Sequence, residues 1–228
     1  MTRAALVVGA TGLVGGHLLA RLVADDRWSR VVVLARRAID GAATKVTEHI
    51  VDFESLATSE GRGVALESID DVFLCLGTTI KIAGSKERFR RVDRDYTIAA
   101  ARLGKKAGAS RVALVSSVGA DDKASTFYLR VKGETERDIR DLGFDTTILA
   151  RPSVLVGDRG VSRPGERAGI AVTSLLAPLM VGGLRSYRPI DARDVASAMI
   201  EAIARGEKGA RVLLHAELIA LSGGAGGG

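Results

Sequence analysis

Apolar residues come in short unbroken runs rich in β-branched side chains, separated by longer stretches in which they recur every three or four positions. The strong runs are "AALVVGA" near 4–10, "RVVVLAR" near 30–36, "DVFLCLG" near 71–77, "RVALVSS" near 111–117 and "DTTILAR" near 145–151. A weaker run, "VTEHIVD", fits between the second and third. Such near-continuous apolarity suits strands covered on both faces, as in a parallel sheet. The segments "GLVGGHLLARLVADD" and "RDYTIAAARLGKKAG" between them read as helices, the second closing on Lys105, Lys106 and Gly108 as helix ends do. Strand then helix, repeated, predicts an α/β fold with a doubly wound parallel sheet and helices on both faces.

After Pro152 the rhythm loosens into "GDRGVSRPGERAG", an apolar segment at 170–181 and a further helix from Asp194 to about Ala204. This stretch, about 151–193, is expected to form a small substrate-side extension over the open end of the sheet. The length of 228 residues fits a single domain over 1–221. The remainder, "SGGAGGG" at 222–228, cannot bury side chains and reads as a flexible tail.

Composition narrows the function. Aromatics are 4% against 46% hydrophobic residues, so the core is aliphatic. No apolar run reaches the roughly 18 to 20 residues that span a bilayer, and "MTRAALVVGATG" moves straight into a strand and a glycine turn. That pattern leads to the expectation of a cytoplasmic protein with no membrane partner. Cys75, the lone cysteine, lies inside an apolar run and reads as a buried structural thiol. His17, His49 and His215 show no metal-ligand spacing, so no metal is expected. The net charge of +6 is modest, and the densest basic stretch, "SKERFRRVDRDY", is interleaved with acids and lacks stacking aromatics. It fits a solvated helix face better than a nucleic-acid surface.

The first strand runs into "GATGLVGGHLL", where Gly9, Gly12 and Gly15 stand at three-residue intervals ahead of a helix. Glycines there let the backbone turn and approach a pyrophosphate, whose charge meets the helix N-terminus. A bare glycine triplet also makes ordinary tight turns; its place at the end of the first strand favours dinucleotide binding, with Gly9, Thr11, Gly12, Leu13, Val14 and Gly15 at the cofactor. The second strand ends in Arg36 and Arg37 where an NAD site usually places an acid. Guanidinium groups there suit the 2′-phosphate of NADP, unless they merely begin a solvated loop. Asp52 and Phe53 after the third strand fall near the expected adenine, and Leu76, Gly77, Thr78 and Thr79 after the fourth fall near the nicotinamide ribose. Either group could equally be plain loop chemistry. Arg151, Pro152 and Val154, closing the sixth strand, complete the predicted cofactor cleft together with Ser116.

Tyr128 and Lys132, four positions apart in "STFYLRVKGETE", share one helix face a short loop after the Ser116–Ser117 pair. That spacing occurs on many ordinary helices, yet here it falls at the carboxyl end of the fifth strand. A free tyrosine titrates near ~10 and a nearby ammonium favours the phenolate. Tyr128 would then exchange a proton with a carbonyl or alcohol, Lys132 would supply the charge, and Ser117, or less suitably Ser116, would orient the substrate oxygen.

"GATGLVG", the serine pair and "YLRVK" resemble the short-chain dehydrogenase/reductase superfamily in its atypical NAD(P)-binding branch. "RRVDRDY", "SSVGAD", "FYLRVKGETE", "RPSVLVGDR" and "SRPGE" narrow the resemblance to the HIV Tat-interactive-protein-like oxidoreductases, over roughly residues 4–215. It implies a Rossmann-like domain that binds NADPH and acts on a small carbonyl or alcohol. Many relatives carry Asn in the helix before the fifth strand where this chain has Asp93, which puts a relay through that Asn in doubt. The group also suggests a different role, a non-enzymatic NADPH-binding regulator with a protein partner; a homodimer is open as well. A sugar-nucleotide epimerase is disfavoured by the short stretch left after the sixth strand. Arg163 and Glu166 sit on a loop that could cover the cleft, either gripping an anionic substrate or pairing with Asp158, Glu166 or Asp191.

Overall fold

The computed structural model describes residues 2–39, 43–58, 64–157 and 186–223. Nine strands are described: β1 (Arg3–Val8), β2 (Trp28–Ala35), β3 (Val46–Ile50), β4 (Asp71–Leu74), β5 (Arg111–Val115), β6 (Thr146–Ala150), β7 (Leu155–Val156), β8 (Ile190–Asp191) and β9 (Gly209–Leu213). Seven form one all-parallel sheet in the order β3-β2-β1-β4-β5-β6-β9, while β7 and β8 pair separately as a short parallel ribbon. The doubly wound prediction holds. Strand order reverses between β1 and β4, and the crevice at their carboxyl ends is where ligands of open α/β sheets bind.

The helices are α1 (Leu13–Ala24), α2 (Phe53–Thr58), α3 (Ile80–Ala83), α4 (Lys86–Arg90), α5 (Thr97–Lys106), α6 (Phe127–Asp141), α7 (Ala192–Arg205) and α8 (His215–Leu221). Between α4 and α5 the chain passes without a break through a π-helical turn, Arg91–Tyr96. Val14, Leu18 and Leu22 of α1 and the apolar face of α7 cover one side of the sheet. Ile98 to Leu103 of α5, with Phe53, Leu56 and Ile139, cover the other. Strands buried on both faces explain the continuous apolar runs: β6 has no exposed residue.

Most strands end before their apolar runs do. β4 stops at Leu74 and β5 at Val115, leaving Cys75–Gly77 and the serine pair in loops. At the opposite, amino end of the sheet, buried Asp71 accepts from Trp28 Nε1 at 2.7 Å and from Arg111, with Arg3 at 3.5 Å. Burial raises its pKa against these partners. The network joins the starts of β1, β2, β4 and β5, far along the strands from their carboxyl ends.

β9 and α8 were not anticipated. β9, "GARVL", is an edge strand with two exposed residues at its start, so it carries little apolar signal. The predicted helix from Asp194 starts at Ala192, because Asp191 caps it by accepting from Arg193 N at 2.8 Å. The apolar segment 170–181, Asp158, Arg163, Glu166 and residues 224–228 lie outside the described residues.

Candidate active site

Each candidate residue stands just beyond a carboxyl end of β1 to β6 or on the helix that follows. Gly9 leaves β1 at φ +87°, and a Cβ there would fall 2.6 Å from the Cys75 carbonyl carbon. Only glycine meets both demands. Gly12 N donates to Gly9 O at 2.9 Å, closing the turn, and Gly12 precedes the first residue of α1. A Cβ on Gly15 would fall 2.1 Å from Gly9 O, so this third glycine lets the helix seat against the turn. Thr11 and Gly12 are exposed, Leu13 is half-buried against Gly157, and Val14 is core. The free amides at the start of α1 therefore face the crevice with open backbone in front of them, which suits a pyrophosphate.

Arg36 and Arg37 are exposed at the end of β2, with no partner among the described residues. Asp52 caps α2, accepting from Glu54 N at 3.2 Å and from the amide and hydroxyl of Ser55 at 3.1 and 2.7 Å. These bonds, led by the Ser55 hydroxyl, lower its pKa. Phe53 is buried against Tyr96, with ring centroids 5.7 Å apart. The pair sits at the expected end of β3, but Phe53 offers its side chain to the core. After β4, Leu76 is half-buried and Gly77 exposed, and Thr79 caps α3 by accepting from Ile82 N at 3.1 Å.

The serines differ. Ser116 is buried and donates to Glu136 Oε1 at 2.5 Å, whereas Ser117 is half-buried and reaches only Val118 O at 3.3 Å. Glu136, itself buried, also takes a two-pronged grip from Arg151, Nε at 2.8 Å and Nη2 at 2.6 Å. Pro152 is buried, with its carbonyl accepting from Val118 N at 2.9 Å; Val154 is exposed beside the ribbon. Sequence reasoning missed Glu136, although it lies four positions beyond Lys132 on the same face of α6.

Tyr128 is half-buried near the start of α6, its ring 5.4 Å from that of Phe89. Lys132 is buried, and its Nζ lies 2.8 Å from Asp93 Oδ1. Burial works against its ammonium, but the carboxylate of Asp93 and the neighbouring Tyr128 and Glu136 outweigh it, so the lysine pKa stands above its usual value. The other Asp93 oxygen accepts from Thr78 N at 2.9 Å. The position singled out as a departure from relatives thus carries a charge that pairs directly with Lys132. Gly77 completes the cluster: a Cβ there would lie 3.8 Å from Asp93 Oδ1 and 4.0 Å from Lys132 Nζ. Gly133 follows Lys132 and has no such freedom, since its Cβ would fall 2.1 Å from the Asp121 carbonyl carbon. The loop after Ser117 therefore lies directly on α6, a contact no sequence pattern announced.

Cys75 is partly buried at the end of β4, and burial pushes its thiol up to about 12, as befits a structural thiol. His215 at the start of α8 has its pKa lowered by burial against a hydrogen bond with the Pro189 backbone. Among the described residues no cluster of three metal-ligating side chains occurs, and no helix is long and apolar enough to cross a membrane.

A family model described as NAD(P)H-binding matches residues 9–205. The chain belongs to this NAD(P)H-binding family. It is 40% identical to Protein HTATIP2 of Rattus norvegicus over 167 residues, covering 72% of this chain and 67% of the relative. It is 34% identical to Protein FMP52, mitochondrial, of Eremothecium gossypii, over 95% of this chain and 96% of that one. These relatives agree with the HIV Tat-interactive-protein-like branch inferred from the motifs. The names of the fungal relatives describe mitochondrial proteins, which overturns the cytoplasmic expectation drawn from the N-terminal residues. Among solved structures, MoeE5 in complex with UDP-glucose and NAD aligns at a TM-score of 0.66 with 18% identity, over 98% of this chain and 82% of that one. At that identity the likeness shows the shared Rossmann-like fold.

Proposed function

We propose that the protein is an NADPH-dependent oxidoreductase that interconverts a small carbonyl and its alcohol. The observation that supports this reading is that Ser117 follows β5 while Tyr128 and Lys132 lie in the first turns of α6, with Lys132 Nζ 4.0 Å from a Cβ placed on Gly77 of the β4 loop. The site suits the cofactor: backbone amides at α1 for the pyrophosphate, and two guanidinium groups without partners among the described residues for a 2′-phosphate. When bound, NADPH supplies the hydride. Ser117, whose hydroxyl is the less committed of the pair, holds the substrate oxygen, and Tyr128 gives its phenolic proton to that oxygen as negative charge develops on it. Lys132 places an ammonium in a buried setting where its field is little screened. Ser116 and Arg151 support Glu136, and so hold α6 against β5 and β6.

The test pairs titrations of NADPH and NADH against wild type and Arg36→Ala/Arg37→Ala, with turnover of a carbonyl panel by wild type and Tyr128→Phe. NADPH preference lost in the arginine variant, and turnover lost with binding kept in Tyr128→Phe, are the expected results. Unchanged turnover in Tyr128→Phe would remove the acid/base role. A second reading, an NADPH-responsive regulator, is favoured by one observation: Asp93 partly neutralises the lysine that should activate Tyr128. It predicts tight binding and no turnover across the panel.

A further inference from the structure

We propose that Asp93 is a positioning residue that ties the cofactor loop after β4 to Lys132 of α6, so that cofactor affinity depends on the charge of Asp93 acting through Lys132. The proposal rests on the oxidoreductase reading only in placing the nicotinamide half of the cofactor at this loop.

Three independent features converge. Asp93 is only 1% exposed yet ionisable, a costly arrangement that needs partners. Its two oxygens are divided between two elements of the site, Oδ2 accepting from Thr78 N at 2.9 Å and Oδ1 lying 2.8 Å from Lys132 Nζ. The second contact is a close ion pair between two buried side chains. Finally, Asp93 sits inside the π-helical turn Arg91–Tyr96. A π turn packs an extra residue into the helix and breaks the regular ladder, a distortion that recurs at functional sites. α6 packs on this turn, and Thr135 Oγ1 comes within 3.4 Å of the Asp93 carbonyl.

Other charges near the pair are already engaged. Glu136, one turn beyond Lys132, takes Arg151 and Ser116. Glu134 pairs with Arg90 at 2.7 Å, and Arg94 pairs with Asp95 and Asp138 at 2.8 and 2.5 Å. The β4 loop contributes no charge, since burial pushes the Cys75 thiol up to about 12, and offers only the Thr78 amide and the open Cα of Gly77. Asp93 is thus the anion left to balance Lys132, with Tyr128 as the remaining titratable neighbour. With that balance in place Lys132 stays charged through the neutral range. Without it, burial is opposed only by Tyr128 and Glu136, and the lysine titration moves down.

The test is a double-mutant cycle on NADPH affinity, read by fluorescence titration from acid to alkaline pH, with Asp93→Asn, Lys132→Met and the double variant. Asn keeps the shape and an acceptor for Thr78 N while removing the charge. Wild type should bind with little pH dependence. Asp93→Asn should lose about tenfold in affinity as pH rises, because loss of one proton removes a favourable charge near the anionic cofactor. That pH dependence should vanish in the double variant, whose affinity should equal that of Lys132→Met alone. Additive losses, or a pH dependence that survives Lys132→Met, would overturn the proposal. Should Asp93→Asn not fold, Asp93→Glu serves instead: its charge is kept and displaced by one methylene, so affinity should fall while the profile stays flat. Unchanged affinity in Asp93→Glu would overturn the placement. The cycle needs no substrate, so binding without turnover sinks the oxidoreductase reading alone. Absence of NADPH binding by wild type sinks both.

Discussion

Gly133→Ala sets two effects of opposite sign against each other. In a helix interior, Ala is favoured over Gly by about 0.5–1 kcal/mol, so propensity alone predicts a stabler protein. The structure predicts the reverse. An added Cβ would lie 2.1 Å from Asp121 C, 2.2 Å from Asp122 N and 2.6 Å from Asp121 Cα. All three are backbone atoms, so no side chain can swing aside, and reaching an ordinary contact near 3.4 Å requires the loop and α6 to part by roughly 1.3 Å. The flanking Val131 and Lys132 are buried, which stops the helix tilting away. Overpacking of this kind costs about 1–3 kcal/mol, so the net expectation is a loss of roughly 1–2 kcal/mol. The same displacement moves Ser117 relative to Tyr128, and a misplacement near ~1 Å can reduce turnover about 100-fold. Urea unfolding followed by the fluorescence of Trp28, the sole tryptophan and fully buried, reads the first effect. Gly143→Ala is the control: its φ of +69° carries a strain penalty, but nothing lies within 4 Å of its Cβ and it stands apart from the site. A Gly133→Ala protein as stable as wild type, or stabler, would refute the contact argument.

Further outcomes follow from other contacts. Glu136→Ala leaves the half-buried Arg151 guanidinium without its two-pronged partner and should cost about 1.5–3 kcal/mol; Glu136→Gln, which keeps the shape, should cost less, and equal losses in urea melts would show that charge is irrelevant there. Gly15→Ala should abolish NADPH binding, because its Cβ meets Gly9 O inside the glycine turn; retained affinity in a fluorescence titration would contradict this. Arg27, through hydrogen bonds to each, holds the carboxyls of Asp25 and Glu201 below their usual values. Carboxyls depressed in this way add stability that is complete above the unfolded value, near ~4, and is lost as pH falls through the folded one. The stability gap between wild type and Arg27→Ala should therefore be full at neutral pH and close on acidification, and a gap constant down to strongly acid pH would disprove the pairing.

Strands packed on both faces announce themselves in sequence because nearly every position must be apolar, which is why β1, β2, β4, β5 and β6 could be read directly. β9 could not: its Gly209 and Ala210 are exposed at a sheet edge, where burial no longer selects side chains. The glycine turn was legible because its backbone demands are local. Glu136, Gly133 and the Asp93 pairing were not, since each gains its role from a contact made across the sheet or between helices. Phe53 stands at the end of β3, where an adenine contact was expected, with its ring turned into the core.

The order β3-β2-β1-β4-β5-β6-β9 also governs how the chain is assembled during synthesis. β1 is the seed, β2 and β3 extend one flank, and β4, β5, β6 and β9 extend the other in the order in which they are translated. No newly made strand has to pry open a pair already formed. The cost falls on interrupted chains. One that stops before residue 209 presents β6, apolar and unshielded from Thr146 to Ala150, as a free template for the strand of another molecule. The modest last strand, with its exposed start, acts as the fold's selvedge: it seals the fabric and keeps truncated neighbours from stitching onto it.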